Sequence, residues 1–127
     1  MRFMMLVKAN KHSESGAPPN PKLMEVIGKM GAELTKRGAM ILSGGLTPSS
    51  QGIRVRAGAG KLTVTDGPFT ETKELIGGYA IFELASKEEA VALGRQFMQT
   101  HVDVMGESYE GELEIRPILF LNGAPQH

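Results

Sequence analysis

Acid–base chemistry near neutral pH draws first on histidines, thiolates and paired carboxylates. This chain offers three histidines and no cysteine. His12 falls in a polar loop and His127 ends the sequence, which leaves His101. The helical pattern places His101 at the carboxyl end of a helix, two residues before Asp103. If the chain is extended there, the two side chains point the same way and Asp103 can orient the imidazole as a general base. The alternative is a histidine set against the helix-end carbonyls. The second concentration of reactive groups is Asp66-Gly67-Pro68-Phe69-Thr70-Glu71-Thr72-Lys73-Glu74, which runs on into Gly77-Gly78-Tyr79. Asp66 is either a turn-closing acceptor or a catalytic carboxylate, and Phe69 either plugs the core or lines a cleft. Glu71 and Lys73 are either an exposed charged face or part of that cleft. Near the end of the chain, Leu113 and Ile115 share one face of an alternating strand. Glu114 and Arg116 therefore sit together on the other. An arginine held among carboxylates, with Tyr79 nearby, could orient an anionic or carbonyl-bearing small molecule.

Several chemistries are excluded or unsupported. Without cysteine there is no disulfide framework, thiolate catalysis or cysteine-ligated metal. No two histidines stand at ligand spacing and no acidic run resembles a calcium loop, so neither a metal nor a cofactor is expected. Gly58-Ala59-Gly60-Lys61-Leu62-Thr63 looks like the tail of a phosphate loop. It lacks the first glycine and the hydroxyl directly after lysine, and a strand rather than a helix follows. Gly-x-Ser-x-Gly is absent, so a nucleophile elbow has no support. Lysine plus arginine equal aspartate plus glutamate at 14 each, and no basic stripe interrupts the balance. Nucleic-acid binding is therefore not expected. The apolar run Phe3–Val7 is too short for a signal-peptide core or a membrane span, which makes a cytoplasmic protein without membrane contact the expectation.

The elements that must position these groups read as follows. A chain of 127 residues suits one domain, residues 1–127, with a single moderate core. Phe3–Val7 is apolar on both alternating faces, as in a strand covered on two sides. Residues 9 to 21 read as a Pro-rich loop. Asn20-Pro21 then caps a helix whose stripe is Leu23, Ile27, Met30 and Leu34, stopped at Gly38. Gly28 and Gly31 interrupt it, either because something packs close there or because the helix is simply weaker. Ala39–Ser43 reads as a strand, Ile53–Arg56 and Lys61–Thr65 as a hairpin with one wet face, and Tyr79–Leu84 as another strand. Ser86-Lys87-Glu88-Glu89 is a capping box opening a second helix through Ala90, Leu93, Gly94 and Phe97. A loop after His101 leads to the strand Glu112–Arg116. The order β, α, β, hairpin, β, α, β predicts an α+β domain of the ferredoxin-like kind, a mainly antiparallel sheet with two helices on one face. The other face would stay bare, and a large bare apolar face usually marks an interface.

The run Asp66-Gly67-Pro68-Phe69 and its continuation resemble the signature of the YCII-related family, whose DGPF branch is named for these four residues. The resemblance extends from Phe3–Val7 to Glu112-Leu113-Glu114-Ile115-Arg116-Pro117. It implies a homodimer in which two sheets pack face to face as a dimeric α/β barrel. It also implies a small-molecule binder or enzyme with a polar cleft, using proton-transfer or elimination chemistry. The other role it permits is a regulatory protein-interaction module, since DGPF-type proteins are often encoded or fused with alternative sigma factors. Related proteins carry a histidine on the first helix that is proposed to act with an aspartate. No histidine occurs here between Asn20 and Gly38, so that pair's chemistry is not carried over.

Overall fold

The computed structural model describes residues 1–71, 74–121 and 124–125. In chain order the elements are β1 (Arg2–Lys8), α1 (Lys11–Glu14), α2 (Pro21–Lys36), β2 (Met40–Gly45), a 3₁₀ turn (Ser49–Gln51), β3 (Ile53–Gly58), β4 (Lys61–Asp66), β5 (Ile76–Glu83), α3 (Lys87–Met105), β6 (Leu113–Pro117), β7 (Phe120–Leu121) and β8 (Ala124–Pro125). Four strands form one antiparallel sheet in the order β2-β5-β1-β6, while β3–β4 and β7–β8 pair separately. The fold is α+β, with a four-stranded antiparallel sheet and two main helices.

Register decides what each sheet face carries. Phe3, Met5 and Val7 pair with Phe82, Ala80 and Gly78 on one side and with Pro117, Ile115 and Leu113 on the other. This face meets the helices. Phe3, Met5, Phe82, Leu34, Ala90 and Leu93 form the buried cluster, with Leu113 and Ile115 packed against it. Gly94 lets α3 approach β6 closely, because a Cβ there would stand 2.9 Å from Ile115 Cδ1 and 3.1 Å from Leu113 Cδ2. The opposite face holds two rows, Leu42–Ile81–Met4–Arg116 and Gly44–Tyr79–Leu6–Glu114. Leu42 is 45% exposed and Met4, Leu6 and Tyr79 are half-buried, whereas Ile81 is buried.

The helix caps match the sequence in part. Asn20 Oδ1 accepts the Leu23 N–H at 3.1 Å with Pro21 in the first turn, and Gly38 follows the helix at φ 77°. Ser86 Oγ accepts the Glu89 N–H at 3.1 Å, but Glu89 reaches back to the Ala85 N–H at 2.9 Å rather than to that of Ser86. Of the two α2 glycines, a Cβ at Gly31 would stand 3.0 Å from Met40 Cε, whereas one at Gly28 would meet nothing within 4 Å. One is a close-packing position and the other only weakens the helix. Residues 9 to 21 are not all loop. Asn10 and Ser13 cap each other reciprocally and open the single turn α1.

Candidate functional site

The signature begins where β4 ends, and its geometry is set by a serine that the sequence does not advertise. Ser49, at the start of the 3₁₀ turn, is buried. Its Oγ accepts the Phe69 N–H at 3.0 Å and donates to Glu14 Oε1 at 2.5 Å, while its own N–H donates to Glu14 Oε2 at 2.8 Å. From α1, Glu14 thus accepts from both hydrogen-bond donors of Ser49. The Gly52 N–H donates to the Ser49 carbonyl at 2.8 Å, and the Gly67 N–H donates to the Gly52 carbonyl at 2.9 Å. Gly67 lies so close to this turn that a Cβ would run into the Ser49 carbonyl oxygen, so only glycine fits. The following Gly67–Pro68 peptide is cis. Asp66, by contrast, is exposed, and its carboxylate makes no side-chain hydrogen bond with a described residue. Of the two roles weighed for Asp66, closing the turn falls to Ser49 and Glu14.

Phe69 and Glu71 fix the root of the β3–β4 hairpin. The Arg54 guanidinium lies over the Phe69 ring, 3.8 Å from its centroid. It also forks onto Glu71, with Nη1 3.3 Å from Oε1 and Nη2 3.1 Å from Oε2. A guanidinium suits both tasks because its plane stacks while its edge donates in parallel. The Arg54 hydrogen bonds, followed by a backbone hydrogen bond within Glu71 itself, hold the Glu71 carboxyl below the ordinary glutamate value. Lys73 lies outside the described residues.

A second polar group gathers on the helix-free sheet face. Alternation along β6 turns Leu113 and Ile115 into the core and Glu114 and Arg116 away from it. Glu114 sits between two cations, with Lys8 Nζ 3.2 Å from Oε1 and Arg116 Nε 3.7 Å from Oε2. Tyr79 and Glu114 flank Leu6 on the two neighbouring strands, so their backbones stand about 10 Å apart at the usual strand spacing. Gly44 accommodates the tyrosine, since a Cβ there would be 2.5 Å from the Tyr79 hydroxyl oxygen. The signature loop joins the same end of the sheet. Ala9 N–H donates to the Leu75 carbonyl at 2.8 Å, and Leu46 N–H donates to the Gly77 carbonyl at 2.9 Å.

His101 and Asp103 are not brought together. Helix α3 continues through Met105 and stops at Gly106, φ 90°, so the expected extended segment after His101 is helical. Positions two apart on a helix point to different sides. Asp103 is exposed and accepts from Gln99 Nε2 at 2.8 Å. His101 is buried, its Nδ1–H donating to the Phe97 carbonyl at 2.9 Å. Its ring stands 4.6 Å from that of Phe97 and 5.2 Å from that of Tyr109, centroid to centroid. Burial raises the Tyr109 phenol above its ordinary value. This cluster belongs to the helix layer, across the sheet from Tyr79, Glu114 and Arg116.

Sequence reasoning did not single out Glu14, Ser49, Arg54 or Lys8. The Asn10-x-x-Ser13 cap was a readable signal for α1, but nothing local connects Glu14 to Ser49. Among the described residues no group of three or more His, Asp or Glu could hold a metal ion. No helix among them is long and apolar enough to cross a membrane. An open groove of about 220 Å³ between α2 and α3, lined by Met30, Glu33, Arg37, Leu93 and Gln96, is remote from the sheet-face group.

Fold and site together define a small α+β domain with a glycine-dependent turn clamped to one sheet end and an ion-paired group on the helix-free sheet face. The chain matches the YCII-related domain over residues 1–109 and belongs to that family. An uncharacterized protein of Rhizobium meliloti (strain 1021) is 33% identical over 73 residues, a match covering 58% of this chain and 54% of that relative. The match thus spans about half the relative's length.

Proposed function

We propose that this chain is a DGPF-branch member of its family that binds, and acts on, a small molecule as a homodimer. Two helix-free sheet faces meet, and the ligand lies on this face between Tyr79 and the Lys8–Glu114–Arg116 group. The observation that carries this reading is the makeup of that face. Apolar Met4, Leu6 and Ile81 occupy its middle, with the Lys8–Glu114–Arg116 ion pairs towards the β6 edge and the Tyr79 hydroxyl over Gly44 on the β2 edge. Sites for small molecules combine this kind of apolar floor with a few convergent polar groups.

The chemistry follows from the donors. Arg116 touches Glu114 through Nε, so its terminal amino groups remain available to a carboxylate or carbonyl oxygen. Tyr79 can donate to a second oxygen. Proton transfer or elimination at such a ligand falls to Glu114 or Tyr79, because His101 lies in the helix layer and Asp103 is paired with Gln99. A thermal-shift screen of small carboxylates and carbonyl compounds tests the reading, since a ligand bound only by the native state raises its melting temperature. A stabilising compound should lose its effect in Arg116→Ala, while the unliganded variant changes by less than about 0.5 kcal/mol. A shift that survives both Arg116→Ala and Tyr79→Phe moves the ligand elsewhere.

A further inference from the structure

The helix layer carries a groove of its own, running between α2 and α3 with about 220 Å³ of space. Val26, Met30 and Leu93 form its apolar floor, and Glu33, Arg37 and Gln96 stand at its rim. The floor is buried or half-buried and the rim is exposed. Elsewhere on α2, Glu25 pairs with Lys29 one turn on, at 3.3 Å, as a glutamate followed by a cation four residues later usually does. Glu33 and Arg37 have the same order and spacing. Yet neither side chain makes an ion pair or a hydrogen bond with a described residue, and the Gln96 amide has no such partner either. Two opposite charges and an amide thus line one groove with their bonding capacity unused.

We infer that this groove binds a free α-amino acid with an apolar side chain. The charges decide the class. A simple carboxylate would satisfy Arg37 but set a second anion beside Glu33, and a simple amine would do the reverse. A zwitterion meets both, its carboxylate accepting from the guanidinium and its ammonium donating to Glu33. The Gln96 amide can donate to the carboxylate or accept from the ammonium. The floor decides the side chain. Met30 adapts its shape to branched or aromatic groups, whereas a charged side chain would lose its water there without gaining a partner. Size decides the length. Pockets for drug-sized ligands run to roughly 300–1,000 Å³, so this smaller space suits one amino acid. Positions four apart stand about 6 Å from each other along a helix, a span that the adjacent charges of an amino acid bridge and the ends of an extended peptide overshoot. The groove lies across the sheet from Tyr79, Glu114 and Arg116 and does not depend on the ligand proposed for that face.

The test is an NMR titration of the full chain with L-leucine, read at the Met30 methyl and the Gln96 side-chain amide. L-leucine should shift both saturably and leave Tyr79 unmoved. N-acetyl-leucine and leucinamide each lack one of the two charges. Each should bind about tenfold or more weakly, the loss of one charge-assisted hydrogen bond. Glu33→Gln should weaken L-leucine by a similar factor while leaving N-acetyl-leucine unchanged. Arg37→Gln should weaken L-leucine while leaving leucinamide unchanged. Both side chains are exposed, so both variants should keep the wild-type circular dichroism. No saturable shift at Met30 in tens of millimolar L-leucine overturns the inference. Equal affinities for L-leucine and leucinamide overturn it in favour of apolar uptake without charge recognition. Shifts confined to Tyr79 and Met4 overturn it and place the amino acid on the sheet face instead.

Discussion

Replacing Ser49 by alanine removes the hydroxyl that bridges Glu14 of α1 to the Phe69 N–H of the signature turn. Ser49 Oγ donates to Glu14 and accepts from Phe69, and both contacts are partly buried. A hydrogen bond to a charged acceptor contributes about 1.5–3 kcal/mol, and stranding the Phe69 N–H adds about 1 kcal/mol. Glu14 is only half-buried and keeps the Ser49 N–H, so water and that remaining bond recover part of the loss. The expected net cost is about 2–3 kcal/mol, or about 8–12 °C in melting temperature for a chain of this size. Urea melts of Ser49→Ala, Glu14→Ala and the double variant measure it. The two losses should overlap by about 1.5 kcal/mol, because they remove the same contact. A Ser49→Ala cost below about 0.5 kcal/mol, or strict additivity, would refute the claim that this pair holds the turn.

Gly28→Ala should raise stability by about 0.5–1 kcal/mol, since α2 gains helix propensity and the new methyl meets nothing within 4 Å; a loss measured by chemical denaturation would show the space to be filled. Gly67→Ala should cost more than about 3 kcal/mol through its clash with the Ser49 carbonyl, whereas neighbouring Asp66→Ala should stay within about 0.5 kcal/mol. Comparable denaturation midpoints for the two would contradict this. The depressed Glu71 carboxyl stabilises the fold above its unfolded value near 4.5, and that contribution disappears as pH falls through its lower folded value. In an NMR titration, Arg54→Gln should return Glu71 towards 4.5, with only a small stability effect because the pair is solvent-screened; an unmoved titration would exclude Arg54 as the cause.

What was legible in the sequence is what local pattern encodes. The apolar run Phe3–Val7 reads as a strand and lies within β1, and alternation along Leu113–Arg116 separates core residues from the Glu114–Arg116 pair. Asn20-Pro21 and Gly38 mark α2 because caps act within one turn. The end of α3 was misread because β-branched Val102 and Val104 weaken helix propensity, and the real stop is Gly106. The Glu14–Ser49 contact spans 35 residues between two single-turn elements. No periodicity brings them together, so only tertiary structure does. The hairpin's alternation was legible too, but the expectation of one wet face misses that both faces are exposed within one chain.

The central claim is that a second copy covers the helix-free sheet face, and neighbouring methionines on opposite faces test it. Met4 lies in the row with Ile81 and Arg116, while Met5 is buried beneath the helices. In a sample mixed from isotope-labelled and unlabelled chains, isotope-filtered NMR reports contacts between copies at each methyl. The account predicts intermolecular contacts at the Met4 methyl and none at Met5. Silence at Met4 at concentrations where the protein is dimeric, or contacts confined to helix-layer methyls such as Met24 and Met30, would contradict it.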